Sequence, residues 1–162
     1  MGHRDDVGSR TRTRGAWAAY GAAAWALTFS IFHFMWAGGW YVGLDHGSAQ
    51  EAFQRRWFLV YDLVVAVVCL LAVAVALALV RPWGRRLPRR LLGGLAWSGT
   101  GLLALRGGAG VLQSAYFVAT GAAWSPRSAF WQVWFCIGAA LFGLGTWRFW
   151  RASRLPQATT HS

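Results

Sequence analysis

Residues 57–80 read WFLVYDLVVAVVCLLAVAVALALV, and this stretch indicates the class of the protein. It is long enough to cross a bilayer, because a transmembrane helix needs about 20 predominantly apolar residues. Its single charged residue is Asp62. Three more apolar stretches of similar length occur at residues 16–43, 91–120 and 128–150. The sequence therefore predicts an all-α fold, a four-span transmembrane helical bundle.

The composition agrees with a membrane protein. Of the 162 residues, 56% are hydrophobic and only 13% are charged, and the mean hydropathy is +0.36. These values lie outside the range of soluble globular proteins. The net charge is +11, but the basic residues flank the apolar stretches, so we expect them to orient helices and not to bind nucleic acid. All of them are arginine, a bias that indicates a GC-rich bacterial genome.

Three segments follow from this pattern. Residues 1–15 form a basic N-terminal tail, residues 16–150 form the transmembrane domain, and residues 151–162 form a C-terminal tail. The first apolar stretch is too long for a cleaved signal peptide, and it ends in aromatic residues, so we expect it to remain as a helix. The lipid bilayer is then the main partner of the chain.

The arginines are distributed unequally between the two sides of the predicted bundle. One side carries Arg4, Arg10, Arg12, Arg14, Arg81, Arg85, Arg86, Arg89, Arg90, Arg148, Arg151 and Arg154. The other side carries Arg55, Arg56 and Arg127. Cytoplasmic loops are enriched in basic residues, so both termini and the loop at residues 81–90 are predicted to face the cytoplasm. The expected location is the bacterial inner (cytoplasmic) membrane.

Small residues recur at helical spacing and predict where helices pack. In the first span they are every fourth residue, at Ala18, Ala22, Ala26 and Ser30, and the fourth span has Ala139 and Gly143. Small side chains let helix backbones approach closely in a membrane. The third span is rich in glycine, so we expect it either to pack tightly or to bend near Arg106.

Asp62 and Arg106 are unlike charges inside two different spans, where a charge costs ~2.5 to 3.5 kcal/mol on insertion scales. At a rise of ~1.5 Å per residue, Arg106 lies ~22 Å from the cytoplasmic start of its span and Asp62 ~8 Å from the outer start of its own. His33 lies ~25 Å along the first span. All three fall in the outer half of the bilayer, and we expect Asp62 and Arg106 to be direct neighbours.

Gln113 completes the predicted cluster. It follows Arg106 by seven residues, two helical turns, and therefore lies on the same helix face. The predicted ligand-binding residues are thus His33, Asp62, Arg106 and Gln113.

Three interpretations of this cluster stay open. Asp62 and Arg106 can form a buried ion pair that sets helix register, with the other two residues hydrogen-bonded nearby. Alternatively, Arg106 holds an anionic or polar headgroup in an outward-opening pocket, Asp62 tunes it and His33 relays a proton. In the third interpretation, the charged side chains extend unpaired toward the outer interface.

Other chemical signals are weak. The first outer loop has Asp45, His46 and Glu51, but without the spacing of a metal site. His33 is the only histidine in a span, so haem with two histidine ligands would need a second subunit. The sequence has no Ser-His-Asp arrangement, no pair of catalytic carboxylates and no phosphate-binding loop. We predict no catalytic residue, no metal and no cofactor.

Three motifs carry a resemblance to a known family. They are FHFMWAGGWYVGLD at residues 32–45, ALVRPWGRRLPRRLL at 78–92 and LALRGGAGVLQ at 103–113. With them the chain resembles domain-of-unknown-function family 3995, small four-helix membrane proteins common in actinobacteria. The first helix of that family ends in an aromatic residue and WALGG, shortened here to WAGG at residues 36–39. The resemblance implies a four-span inner-membrane fold and no established activity.

These observations favour a non-enzymatic membrane protein that binds or passes a small polar or lipid-like ligand, or that serves as a subunit of a homo-oligomer or of a partner membrane protein. One alternative is an intramembrane enzyme using His33, Asp62 and Arg106. Another is a small multidrug-type transporter. Those transporters resemble shorter chains with a glutamate in the first helix, whereas this chain has no acidic residue between Ala16 and Asp45.

The topology can be tested with reporter fusions. A reporter fused after Thr120 is expected on the outer side and one fused after Ser162 in the cytoplasm, because the opposite arrangement would move most of the arginines across the membrane. Paired alkaline phosphatase and fluorescent protein fusions should therefore give opposite signals at the two sites. The same signal at both sites would contradict a four-span topology.

Overall fold

The computed structural model describes residues 5–121 and 126–154, and the side chains of residues 16–121 and 126–151. The helices, in chain order, are α1 (Asp5–Ala37), α2 (His46–Phe53), α3 (Arg56–Ala78), α4 (Arg89–Thr120) and α5 (Pro126–Arg154). A 3₁₀ turn (Pro82–Arg86) lies between α3 and α4, and the described ranges contain no strand. Stretches of α1, α3, α4 and α5 are long and apolar enough to cross a membrane. The predicted all-α fold is confirmed, and the chain is a membrane protein.

The helix ends differ from the predicted spans, and the largest differences are in α1. α1 begins at Asp5, inside the predicted tail, and ends at Ala37 instead of residue 43. The early end follows from Gly38 and Gly39, because Gly39 has φ +89, a left-handed conformation that ends a helix. α5 begins at Pro126. Proline suits the first position of a helix, because the N–H group that it lacks would have no partner within the helix there. The outermost tail residues, 1–4 and 155–162, lie outside the described residues.

The four long helices pack in the order α3, α1, α5, α4. α1 lies between α3 and α5, α4 packs mainly on α5, and α3 and α4 touch at few positions. The predicted small-residue face of α1 is confirmed, since Ala18, Ala22, Ala26 and Ser30 are all fully buried. Against α3, the Ser30 hydroxyl donates a hydrogen bond to the carbonyl oxygen of Ala66 at 3.0 Å. Small residues therefore set the distance between α1 and α3.

Trp25 joins α1 to α5. Its indole lies on Gly138, where an added Cβ atom would be 2.6 Å from the ring. The indole N–H donates a hydrogen bond to the carbonyl oxygen of Trp134 at 3.0 Å. Further along the same contact, Gly145 approaches the backbone of Ala19. A large side chain on one helix is thus accommodated by a glycine on the other.

The contact between α4 and α5 repeats every seven residues on both helices. Gly93 faces Trp150, Thr100 faces Gly143, and Gly107 faces Cys136. An added Cβ atom would lie 2.7 Å from the indole at Gly93 and 2.9 Å from the sulfur at Gly107. We call this row the glycine seam. A seven-residue spacing on two antiparallel helices is typical of left-handed packing at a shallow crossing angle, so the seam glycines Gly93 and Gly107 serve tight packing.

The two ends of the bundle differ in chemistry. The 3₁₀ turn lies at one end, which we call the arginine-rich end, and its Gly84 closely approaches the carbonyl of Ala78. There the guanidinium of Arg81 lies over the ring of Tyr20 at 5.6 Å, and that of Arg148 over Trp17 at 5.2 Å. Such cation–π contacts hold basic side chains against aromatic rings.

The opposite end carries α2, and we call it the α2 end. The indole N–H of Trp36 donates a hydrogen bond to the carbonyl oxygen of Val42 at 2.9 Å. The indole N–H of Trp131 donates a hydrogen bond to the carbonyl oxygen of Gly43 at 3.2 Å. Gly43 has φ +77, which suits glycine and lets the chain turn beneath the Trp131 ring. Two tryptophans thus fix the segment that leads from α1 into α2.

Two adjacent glycines offer a matched test of the glycine seam. An added Cβ atom at Gly107 meets Cys136 and Phe135, whereas at Gly108 it meets nothing within 4 Å. We expect Gly107→Ala to lower the free energy of unfolding by ~1 to 3 kcal/mol, because it overpacks the contact. Gly108→Ala should leave stability unchanged or slightly higher, since alanine is the better helix former. Thermal midpoints in detergent measure both, and equal midpoints would contradict the packing described here.

Candidate functional site

His33 and Asp62 form a buried pair between α1 and α3. The imidazole Nδ1 and the carboxyl Oδ1 are 2.6 Å apart and share one hydrogen bond. Only 7% of His33 and 3% of Asp62 is exposed. They are brought together because α1 and α3 are antiparallel, so that a residue near the end of α1 meets one near the start of α3. Each side chain satisfies a polar group of the other that would otherwise stand alone in an apolar interior.

Aromatic rings surround the histidine. Phe29 contacts the imidazole edge-to-face at 4.7 Å, and Trp36 does so at 4.8 Å. Among the described residues, His33 Nε2 and Asp62 Oδ2 have no hydrogen-bond partner, and both atoms are buried. The pair is therefore directed inward and connects two helices.

Arg106 does not contact Asp62, so the predicted ion pair is wrong. Its guanidinium donates a hydrogen bond to Gln132 Oε1 at 2.9 Å. The same group lies over the ring of Phe135 at 4.9 Å from the ring centre. The physical reason is that α4 packs on α5 and scarcely touches α3. Counting residues along a span gives the height of a side chain in the membrane, but not the helix that it faces.

Gln132 is the site residue that the sequence analysis missed. It is buried on α5, and its side chain fills the space that Gly110 leaves open, where any added Cβ atom would overlap it. A signal was present in the sequence, because Gln132 is a polar residue in an apolar stretch and lies six residues from the outer start of α5. At that depth Gln132 lies nearer the outer surface of the membrane than Arg106, within reach of the long arginine side chain.

Gln113 lies where its spacing predicts, on the face of α4 that carries Arg106, but its side chain is exposed. No hydrogen bond of that side chain is present within the described ranges. The four residues of the predicted cluster thus do not form one site. His33 pairs with Asp62, Arg106 pairs with Gln132, and Gln113 belongs to neither pair. Two rings lie between the pairs, since Phe135 beneath Arg106 contacts Phe29 edge-to-face at 5.4 Å.

The surroundings of Arg106 are apolar and open. The side chain is exposed, and so are Leu102, at 69%, and Leu105, at 71%. Among the described side chains, Asp62 is joined to His33 by a hydrogen bond and Asp45 to Arg127 by an ion pair, and neither pair includes Arg106. A positive charge therefore lies on an exposed apolar surface, with a neutral amide and a neutral ring as its described contacts.

Asp45, which was considered as a metal ligand, has a structural role. Its carboxylate accepts hydrogen bonds from the Ser48 hydroxyl at 2.8 Å and from the Ser48 backbone N–H at 3.2 Å, and so caps α2. The Ser48 hydroxyl, followed by the backbone N–H, lowers the pKa of this carboxyl below its usual value. Arg127 Nη1 lies 3.8 Å from Asp45 Oδ1, and both side chains are exposed. The described residues contain no group of three side chains placed to hold a metal.

A double-mutant cycle tests both the observed and the rejected pair. The coupling free energy between His33→Ala and Asp62→Ala is expected to be roughly 0.5 to 3 kcal/mol, because each single change leaves a buried polar group without its partner. Asp62→Ala and Arg106→Ala are expected to add within ~0.5 kcal/mol, since the two side chains share no contact. Unfolding free energies in detergent measure both cycles. Strong coupling in the second cycle would restore the ion pair.

Both pairs fall within the part of the chain that a known family covers. No curated protein and no solved structure matches the sequence. A family model described as "Protein of unknown function (DUF3995)" matches residues 26–143. That range includes α2, α3, α4 and most of the transmembrane parts of α1 and α5. The match covers well over half of the chain, so this protein belongs to the family of unknown function DUF3995.

Proposed function

We propose that the protein is a non-enzymatic component of the bacterial inner membrane that binds the anionic or polar group of a lipid-like ligand at Arg106. Gln132 positions the guanidinium, and Gln113 lies further along the same helix face as a second contact for the ligand. The observation that carries the proposal is that Arg106, near the middle of α4, has neutral described contacts and an exposed side chain.

The charge supplies the first reason. Arginine stays protonated in proteins, and a charge in the hydrocarbon is costly unless it has a counter-ion, water or snorkelling freedom. Here Gln132 and Phe135 hold the guanidinium in place. The planar guanidinium has five N–H donors, and one of them is used on Gln132. The remaining donors suit a carboxylate or a phosphate, which arginine grips with two parallel hydrogen bonds.

The surface around Arg106 supplies the second reason. Its apolar neighbours on α4 are among the most exposed large hydrophobic side chains that the structure describes, so a ligand reaching Arg106 from the side must itself be compatible with lipid. A molecule with an apolar body and one anionic or polar group meets this requirement. A small soluble ion meets it less well, because nothing on this surface replaces its hydration shell.

The enzyme hypothesis receives less support from this geometry. His33 and Asp62 bind each other, and the atoms that would act on a substrate, Nε2 and Oδ2, are buried. Arg106 belongs to another pair on another helix contact. A general acid or base must lie within hydrogen-bonding reach of the substrate group to which it gives a proton or from which it takes one. No contact among the described residues supports the transporter hypothesis.

The proposed orientation puts the arginine-rich end and both termini in the cytoplasm, in keeping with the bias of basic residues toward cytoplasmic loops. The α2 end then faces outward, and Gln132 directs the Arg106 guanidinium toward the outer leaflet. The ligand is therefore proposed to enter from that leaflet.

A partner subunit is a second candidate, and the same exposed charge favours it. An acidic side chain on a neighbouring protein could neutralise Arg106 as an anionic ligand does. In the monomer, only 17% of the membrane-spanning stretch of α3 and 11% of that of α4 is buried. The exposed faces of these two helices leave room for another helix.

A change at Gln132 tests the role of Arg106. Gln132→Glu is nearly isosteric and supplies an internal carboxylate at 2.9 Å from the guanidinium. We expect it to keep the fold and to reduce the retention of the species bound at Arg106 by about tenfold, as a loss of ~1.4 kcal/mol implies, because the internal ion pair competes with the ligand. Mass spectrometry of gently solubilised protein measures the bound species. If the species bound at Arg106 is a partner subunit, Gln132→Glu should release that subunit, which mass spectrometry detects as a polypeptide.

Controls separate charge from geometry. Gln50→Glu adds the same charge on the exposed surface of α2 and should leave bound species unchanged. Arg106→Lys keeps the charge and loses the planar fork, so a ligand gripped by two hydrogen bonds should be retained more weakly. If Gln132→Glu and Arg106→Lys both retain every species that the wild type retains, Arg106 has a structural role and the proposed function is wrong.

A further inference from the structure

A second surface, at the arginine-rich end, is not used by the site at Arg106. A groove of about 410 Å³ lies there between α4 and α5, lined by Trp97, Trp147, Trp150 and Arg151. Its lining is almost entirely aromatic carbon, with one basic side chain at its edge. Both Trp97 and Trp147 are about half exposed, so the groove opens toward the surroundings of the protein.

The walls of this groove are held by the packing of the helices. Trp150 lies against Gly93, the first position of the glycine seam. The guanidinium of Arg151 lies over the ring of Trp147 at 4.4 Å, which fixes its charge beside the groove. At Gly94, the residue directly after Gly93, the surface is open, with nothing within 4 Å of an added Cβ atom. The groove is therefore preformed, and its charged group is oriented.

The charge around the groove is one-sided. Arg90 precedes Gly94 by four residues and Trp97 by seven, and so lies on the same face of α4. Like Arg151, it is exposed. The acidic residues whose side chains the structure describes lie toward the α2 end, at Asp45, Glu51 and Asp62. The edge of the groove is thus complementary to an anion.

We infer that this groove binds one anionic phospholipid from the leaflet at the arginine-rich end. The phosphate contacts Arg151 and Arg90, and an acyl chain lies along Trp97 and Trp147. Tryptophan at the headgroup level and basic side chains beside it are the two features that hold anionic lipids at a membrane protein surface. Free phosphate would make no use of the aromatic walls, and a soluble anion would have to reach a surface that lipid covers.

This inference is independent of the proposed function, because the two surfaces share no residue and lie toward opposite ends of α5. Removal of Arg106 is expected to leave the groove and its lipid unchanged. The two proposals can therefore fail separately.

The experiment is a titration of delipidated protein in detergent, followed by native mass spectrometry. The probes are phosphatidylglycerol, phosphatidylcholine with the same acyl chains, and inorganic phosphate. We expect one phosphatidylglycerol to bind several-fold more tightly than phosphatidylcholine. Arg151→Gln should weaken phosphatidylglycerol by about fivefold, the effect of one basic residue near an anionic surface, and should remove most of the preference between the two lipids.

Two further variants keep the result interpretable. Gly94→Leu adds a side chain where the surface is open, so we expect it to block the lipid without lowering the thermal midpoint. Arg56→Gln removes an exposed arginine at the start of α3, toward the α2 end, and should leave the affinity unchanged. Equal affinity for the two lipids, displacement by inorganic phosphate, or an unchanged affinity in both Arg151→Gln and Gly94→Leu would overturn the inference.

Discussion

Helices inside a bilayer gain little by hiding apolar side chains from lipid, so their association depends on how closely their backbones approach. In this protein the approach is achieved by placing glycine, alanine or serine opposite large rings and bulky side chains. Trp25 lies on Gly138 and Trp150 lies on Gly93. The largest side chains thus contribute packing area, and the smallest positions make room for them. Every other feature of the bundle follows from these contacts.

The glycine seam decides where the polar residues of α4 point. Because Gly93, Thr100 and Gly107 must face α5, the rotation of α4 about its own axis is fixed. Arg106, next to Gly107, is thereby held beside α5 and reaches Gln132. Asp62 lies on α3 and is satisfied by a different helix. Two unlike charges at similar predicted depth therefore remain apart, since packing outweighs an attraction that would have required another arrangement of helices.

The separation of the two polar pairs gives them different roles. His33 and Asp62 are hydrogen-bonded to each other and buried among rings, so they stabilise the contact of α1 with α3. Arg106 keeps an exposed charge with neutral described contacts, and the proposed ligand site rests on that charge. A buried polar pair joined by its own hydrogen bond serves the fold, whereas an oriented charge without a counter-ion among the described residues is the better candidate for function.

The sequence by itself determined the four long apolar helices, the membrane class and the small-residue face of α1, because each depends on residue type and spacing within one segment. The short helix α2 was not predicted. It also identified His33, Asp62 and Arg106 as the residues that need partners, since a polar side chain in an apolar stretch is visible without a structure. Only the tertiary structure decided which partners they take. That choice depends on the rotation of each helix and on which helices are neighbours, and Gln132 became a partner of Arg106 only because α4 packs on α5.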